Sequence, residues 1–123
     1  PGEEKNDLGW AIDETSFPPE LVRFHRRYRK PLFILENGIA DNHDDDVRRQ
    51  GFIVRHARAM WQAIEDGADV RGFFFWSLMD NFEWAEGYTK RFGLYYNDFK
   101  TQKRIPKLSA KWYAQVTREN RVM

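Results

Sequence analysis

The chain has 123 residues, room for one small domain with a modest core. Its 41% hydrophobic and 32% charged side chains exclude a disordered polyelectrolyte and a chain of membrane spans, and 20 basic against 19 acidic residues leave a net charge of +1, too balanced for a dedicated polyanion binder. The absence of cysteine removes disulfides, thiolate metal sites and cysteine nucleophiles together.

Residues 1–16 are polar and irregular, with Leu8-Gly9-Trp10-Ala11-Ile12-Asp13 as an island expected to pack on the rest. No basic, apolar and small-residue succession opens the chain, so a cytoplasmic location is the expectation. The opening Pro1-Gly2-Glu3-Glu4, without an initiator methionine, points to a natural start further upstream.

Phe17-Pro18-Pro19-Glu20 reads as a helix start, because proline fits the first turn and an acid suits the N-terminal end. Phe17, Leu21, Phe24 and Tyr28 follow at helical spacing, and Pro31 ends the element. Leu32 to Glu36 form an apolar strand that runs into Asn37-Gly38, a turn pair. Asp41 to Asp46 make a charged loop, in which Asp45 or Asp46 is expected to cap the next helix. That helix carries Ile53, His56, Ala57, Met60 and Ile64 as one stripe and stops near Gly67. Val70 to Leu78 form a second strand, apolar on both faces as a parallel-sheet strand should be. A long aromatic and acidic loop is predicted from Met79 to about Phe99, and a closing helix near Ser109 with Leu108, Trp112 and Val116 on one side.

Two strands joined by a helix imply a parallel α/β arrangement, yet a two-stranded sheet is marginal alone. Both strands end in polar groups: Glu36 and Asn37 on the first, then Ser77, Asp80, Asn81, Glu83 and Trp84 beyond the second. Loops after neighbouring parallel strands share one end of the sheet, so these groups could converge on a pocket. Carboxylates accept hydrogen bonds from sugar hydroxyls, tryptophan offers a flat face to a pyranose, and glycoside hydrolysis needs paired carboxylates. An ion-paired Glu36 with core tryptophans accounts for the same pattern equally well.

The stretches "ILENG", "GFFFWSLMDNFEWAEGYTKRFGLYYNDF" and "RIPKLSAKWY" closely resemble the C-terminal end of family 1 glycoside hydrolases, the β-glucosidase family. The resemblance runs from about Gly9-Trp10 to the closing helix. It implies an α/β fold that is about the last two βα units of a (β/α)8 TIM barrel, so residues 1–123 would be a single incomplete domain. It also implies a retaining mechanism with Glu36 as nucleophile. Trp76 would then form the floor under the sugar, Glu83 and Trp84 would bind its hydroxyls, and Phe92 would line the same pocket.

Leu35 stands where the family commonly has threonine. Side chains alternate along a strand, so an inward Glu36 would send Leu35 toward the helices. The larger departure is that the family's acid/base glutamate lies in an Asn-Glu-Pro motif, and no such triplet occurs here. Asp80, Glu83 and Glu86 lie on the loop beside the nucleophile, a poor place from which to reach the opposite side of the scissile bond. The resemblance therefore implies a partner, the N-terminal remainder of the same barrel, and a β-glycoside substrate. The intact Glu83-Trp84 pair favours an unphosphorylated one, since a glutamate repels a phosphate.

The rival expectation is a non-catalytic fragment that self-associates and binds sugar weakly. In either case an orphan piece would leave Leu32, Ile34, Phe73 and Phe75 facing solvent. No cofactor is expected. There is no glycine-rich phosphate loop, Asp41 to Asp46 lack EF-hand spacing, and His25, His43 and His56 lack metal-ligand spacing. His56 is expected to pack from its helix against the sheet. The basic run from His25 to Lys30 reads as a solvated helix face, so neither nucleic acid nor membrane is an expected partner.

Overall fold

The computed structural model describes residues 3–121. Helix α1 (Phe17–Tyr28) begins with prolines in its first turn and closes on Arg29, whose left-handed backbone sends its N–H to the His25 carbonyl. Strand β1 (Leu32–Asn37) follows Pro31, helix α2 (Val47–Glu65) crosses over, and strand β2 (Val70–Phe75) pairs parallel with β1. None of the described helices is long and apolar enough to cross a membrane.

Leu32 and Ile34 of β1, with Val70 and Phe73 of β2, lie under Leu21 of α1 and Met60 and Ala63 of α2, forming one core. The opposite face is bare: Phe33, Leu35, Phe74 and Trp76 are exposed. This reverses the expected orientation, in which Leu32, Ile34, Phe73 and Phe75 faced solvent and Leu35 turned toward the helices. The register shifts twice along the pair, between Leu32 and Phe33 and between Ile34 and Asn37, and in β1 the second shift is the cause. Ile34 pairs with Phe73 and Asn37 with Phe75, so three steps of β1 answer two of β2. Counting faces back from Glu36 crosses that extra residue and inverts the parity. Leu35, at 71% exposure, stands on the bare face with Phe33.

A second core gathers Ile39, Phe52, Ile53, Leu94 and Ala110, with Ile12, Phe75, Trp112 and Tyr113 around it. Ile12 is the member of the N-terminal island that packs, whereas Trp10 is exposed. The expected long loop holds more structure than its composition shows. Strand β3 (Tyr95–Asn97) pairs antiparallel with β4 (Arg104–Pro106), after a 3-10 turn at Trp84–Glu86. Three-residue strands leave too little alternation to be read as a period.

Helix α3 (Leu108–Glu119) closes the described chain. Its start is held from a distance: the Ser109 N–H donates to Asp46 Oδ2 at 2.7 Å. Asp46 therefore does not cap its own helix, and Asp45 Oδ1 takes the Val47 N–H at 3.2 Å instead. His56 also departs from expectation. It is buried between α1 and α2, stacked on Phe52 at 3.8 Å and edge-on to Phe17 at 5.7 Å, rather than against the sheet.

Candidate active site

The C-terminal ends of β1 and β2 meet through their backbones. The Trp76 N–H donates to the Asn37 carbonyl at 2.9 Å, one residue beyond Glu36. A Cβ on Gly38 would stand 1.8 Å from the Trp76 carbonyl oxygen, so the turn after Glu36 is pressed flat against Trp76. Residues 77–78 then run beside 92–95: the Ser77 N–H donates to the Phe92 carbonyl at 3.2 Å, and the Leu94 N–H to the Ser77 carbonyl at 2.9 Å. Glu36, Trp76 and Phe92 are thereby brought to one end of the sheet. Glu36 is exposed, Trp76 is exposed at the edge of the bare face, and Phe92 is buried.

Glu83 and Trp84 sit further out, on the arch that returns toward Phe92. The Glu83 N–H donates to the Gly87 carbonyl at 2.6 Å, and Trp84 stands 83% exposed. A large apolar ring in water is unpartnered surface.

Residues that the sequence did not single out hold the two loops together. Asn42, on the loop after β1, donates through Nδ2 to the Thr89 carbonyl at 2.8 Å and accepts the Arg91 N–H on Oδ1 at 3.0 Å. Arg49 has no exposed area. It ion-pairs with Asp46 and donates through Nη2 to the carbonyls of Asp41 at 2.6 Å and Arg91 at 2.8 Å. One guanidinium fork thus bridges both loops, which suits its planar array of donors. Only the Asp46–Arg49 spacing of three on a helix was a visible signal.

Asp80, expected among the converging polar groups, turns away from them. It is 1% exposed and accepts from Arg91 Nη1 at 2.7 Å, the Gly93 N–H at 2.9 Å and Lys107 Nζ at 3.3 Å. Burial pulls the Lys107 ammonium below its usual pKa, against the opposing pull of Asp80. Ser77 is likewise spent locally, donating to the Met79 carbonyl at 2.9 Å. The result is an exposed acid and aromatic surface at the sheet end, on a base of buried ion pairs.

Residues 1–122 match the profile of glycosyl hydrolase family 1. The chain is 46% identical over 121 residues to a bifunctional β-D-glucosidase/β-D-fucosidase of Bifidobacterium breve, covering 87% of this chain and 26% of that protein. It is 41% identical over 126 residues to a 6-phospho-β-galactosidase of Leptotrichia buccalis, covering 96% of this chain and 27% of that protein. Among solved structures, a family 1 β-glucosidase of Thermotoga maritima superposes on the whole chain with a TM-score of 0.94 at 38% identity, using 30% of its own length. The same organism's enzyme in complex with glucoimidazole matches 98% of the chain with a TM-score of 0.91 at 39% identity, using 29% of its own length.

Proposed function

Because the chain belongs to glycosyl hydrolase family 1 and spans little more than a quarter of its relatives' length, we propose that it is the nucleophile-bearing C-terminal part of a retaining β-glycosidase, active when the missing barrel strands complete it. The observation that supports this reading is the turn after Glu36, which lies against the Trp76 backbone, so that the residues bearing an exposed carboxylate and an exposed indole stand at the joined ends of the two strands.

In the proposed reaction Glu36, as a carboxylate, attacks the anomeric carbon of a β-glycoside as positive charge develops there. The glycosidic bond breaks, and its oxygen takes a proton from a carboxylic acid supplied by the remainder of the barrel. A covalent glycosyl–Glu36 ester results. Water then attacks the same carbon, the partner carboxylate accepts its proton, and Glu36 is released. Trp76 stacks beneath the ring, while Glu83 and Trp84 hold hydroxyls remote from the reacting carbon. Contacts that tighten in the transition state would raise the rate as well as the affinity.

The relatives include enzymes named for phosphorylated and for unphosphorylated sugars at similar identity, so overall likeness does not choose between them. Local chemistry favours the unphosphorylated class, because Glu83 is an acid and would repel a phosphate beside it. The proposed substrates are therefore unphosphorylated glucosides, galactosides or fucosides. By the same reading this chain alone does not turn over substrate, since it lacks the Asn-Glu-Pro acid.

The test is denaturing mass spectrometry after incubation with an activated 2-deoxy-2-fluoro glucoside, with this chain co-expressed with an N-terminal barrel segment from a relative. A glycosyl adduct on the peptide holding Glu36, absent in Glu36→Gln, is expected. A hydrolytically active complex that carries its adduct elsewhere would overturn the assignment.

A further inference from the structure

The fold brings Asp7 to Asp41 and His43, which are neighbours two positions apart in the sequence. Asp7, from the N-terminal segment, reaches the loop after β1, where its Oδ2 accepts the Asn42 N–H at 2.8 Å. Its carboxylate there joins Asp41 and His43, with one ligand-type atom from each of the three within 4.8 Å of the others. Asp41 is fully enclosed. Its Oδ1 accepts from the His43 backbone N–H at 3.2 Å and from His43 Nδ1 at 2.7 Å. Its Oδ2 is buried with no hydrogen-bond donor. A buried carboxylate oxygen without a partner is costly, and a bound cation is one group that would satisfy it.

We propose that Asp7, Asp41 and His43 form a binding site for a borderline divalent metal ion of the zinc type, clipping the N-terminal segment to the loop that follows the candidate nucleophile. Two carboxylate oxygens and one imidazole nitrogen form a donor set for zinc or its neighbours in the transition series, whereas calcium and magnesium prefer oxygen alone. Ligand atoms around zinc sit ~2.0–2.2 Å from the ion, so the three groups close by a small movement, which the exposed His43 ring can make. Water completes the coordination.

Two cations lie close. Arg48 donates to Asp7 Oδ1 at 3.0 Å, and Lys90 donates to the Asp7 carbonyl at 2.7 Å. They offset part of the negative charge, so the site should hold zinc reversibly and not as a permanent structural centre. The proposal does not depend on the glycosidase reading.

The test is titration of the 123-residue chain with zinc chloride in a non-chelating buffer, followed by calorimetry and by the thermal unfolding midpoint. One equivalent should bind, with a rise in the midpoint, because an ion that binds only the folded chain stabilises it. Cobalt(II) in place of zinc should give visible d–d absorption. His43→Ala removes an exposed ring together with its hydrogen bond to Asp41, and Asp7→Asn keeps the shape of its side chain. Each should weaken binding ~10-fold or more, while His25→Ala should leave it unchanged. No saturable binding, or binding unaltered in both His43→Ala and Asp7→Asn, would overturn the proposal.

Discussion

Gly38 and Trp76 are in backbone contact so close that any Cβ at position 38 would stand 1.8 Å from the Trp76 carbonyl oxygen. This contact joins the turn after one strand to the end of the next. Gly38→Ala is accordingly expected to force the two strand ends apart and to destabilise the chain by at least ~1–3 kcal/mol, the usual range for overpacking. Gly51→Ala is the matched control. Its Cβ would meet only the end of Arg55 at 3.7 Å, and alanine inside α2 should stabilise by up to ~1 kcal/mol. Urea unfolding of both variants reads the difference. Equal effects of the same sign would mean that the Gly38 contact is not tight.

Asp80 sits under Arg91 and Lys107 with no side-chain exposure. Asp80→Asn would leave two partly buried cations facing a neutral amide. A loss of ~3–5 kcal/mol is expected, as for other buried pairs broken on one side. The Gly93 N–H, which now donates to Asp80 Oδ1, should lose protection in hydrogen exchange before the strands do. A variant as stable as the parent would show that this ion-pair base is solvated.

His56 supplies a pH test. Burial lowers its pKa from the ordinary 6.5, against the Phe52 carbonyl and the nearby Glu14 and Asp13, which favour the protonated ring. The unfolded chain therefore binds this proton more readily than the folded one. Stability should fall as pH drops below about 6.5 and be fully present above it. His56→Phe removes the group while keeping a ring between Phe17 and Phe52. The stability difference between parent and variant should move against the parent as pH is lowered from 7 to 5. A difference independent of pH would assign the slope to other groups.

The bare face of the sheet predicts behaviour in solution. Phe33, Leu35, Phe74 and Trp76 form an exposed apolar surface on a two-stranded sheet with open edges. Such surfaces associate. The isolated chain should self-associate in sedimentation velocity, and a Phe33→Thr, Leu35→Lys double variant should do so less without loss of helix. Binding of an N-terminal barrel segment should suppress association of the parent. A monodisperse parent monomer would count against an unfilled barrel face.

The helices and both long strands were legible in the sequence because each rests on local chemistry. Proline and glutamate open α1, an apolar run ends in Asn37-Gly38, and a 3.6-residue stripe marks α2. The family blocks carried the site: Glu36, Trp76, Glu83, Trp84 and Phe92 fall in contiguous motifs. Their roles remain a reading of those motifs, while the strand ends that bear Glu36 and Trp76 are joined in the fold.

Only the tertiary structure decided which face of each strand is covered, because the register shifts twice along the pair, between Leu32 and Phe33 and between Ile34 and Asn37, and so breaks a count that sequence alternation takes as unbroken. It also decided where the buried charges go. Asp46 spans to Ser109, 63 positions away, Arg49 to Arg91, and Asp7 to Asn42. Such pairings leave no local signature. Any acid can meet any donor once the chain has folded, and packing selects which ones do. Periodicity and turn chemistry are written within a few residues, and the sequence determined those. Partners across the fold follow from excluded volume and the need to satisfy every buried polar group, and the assembled structure decided them.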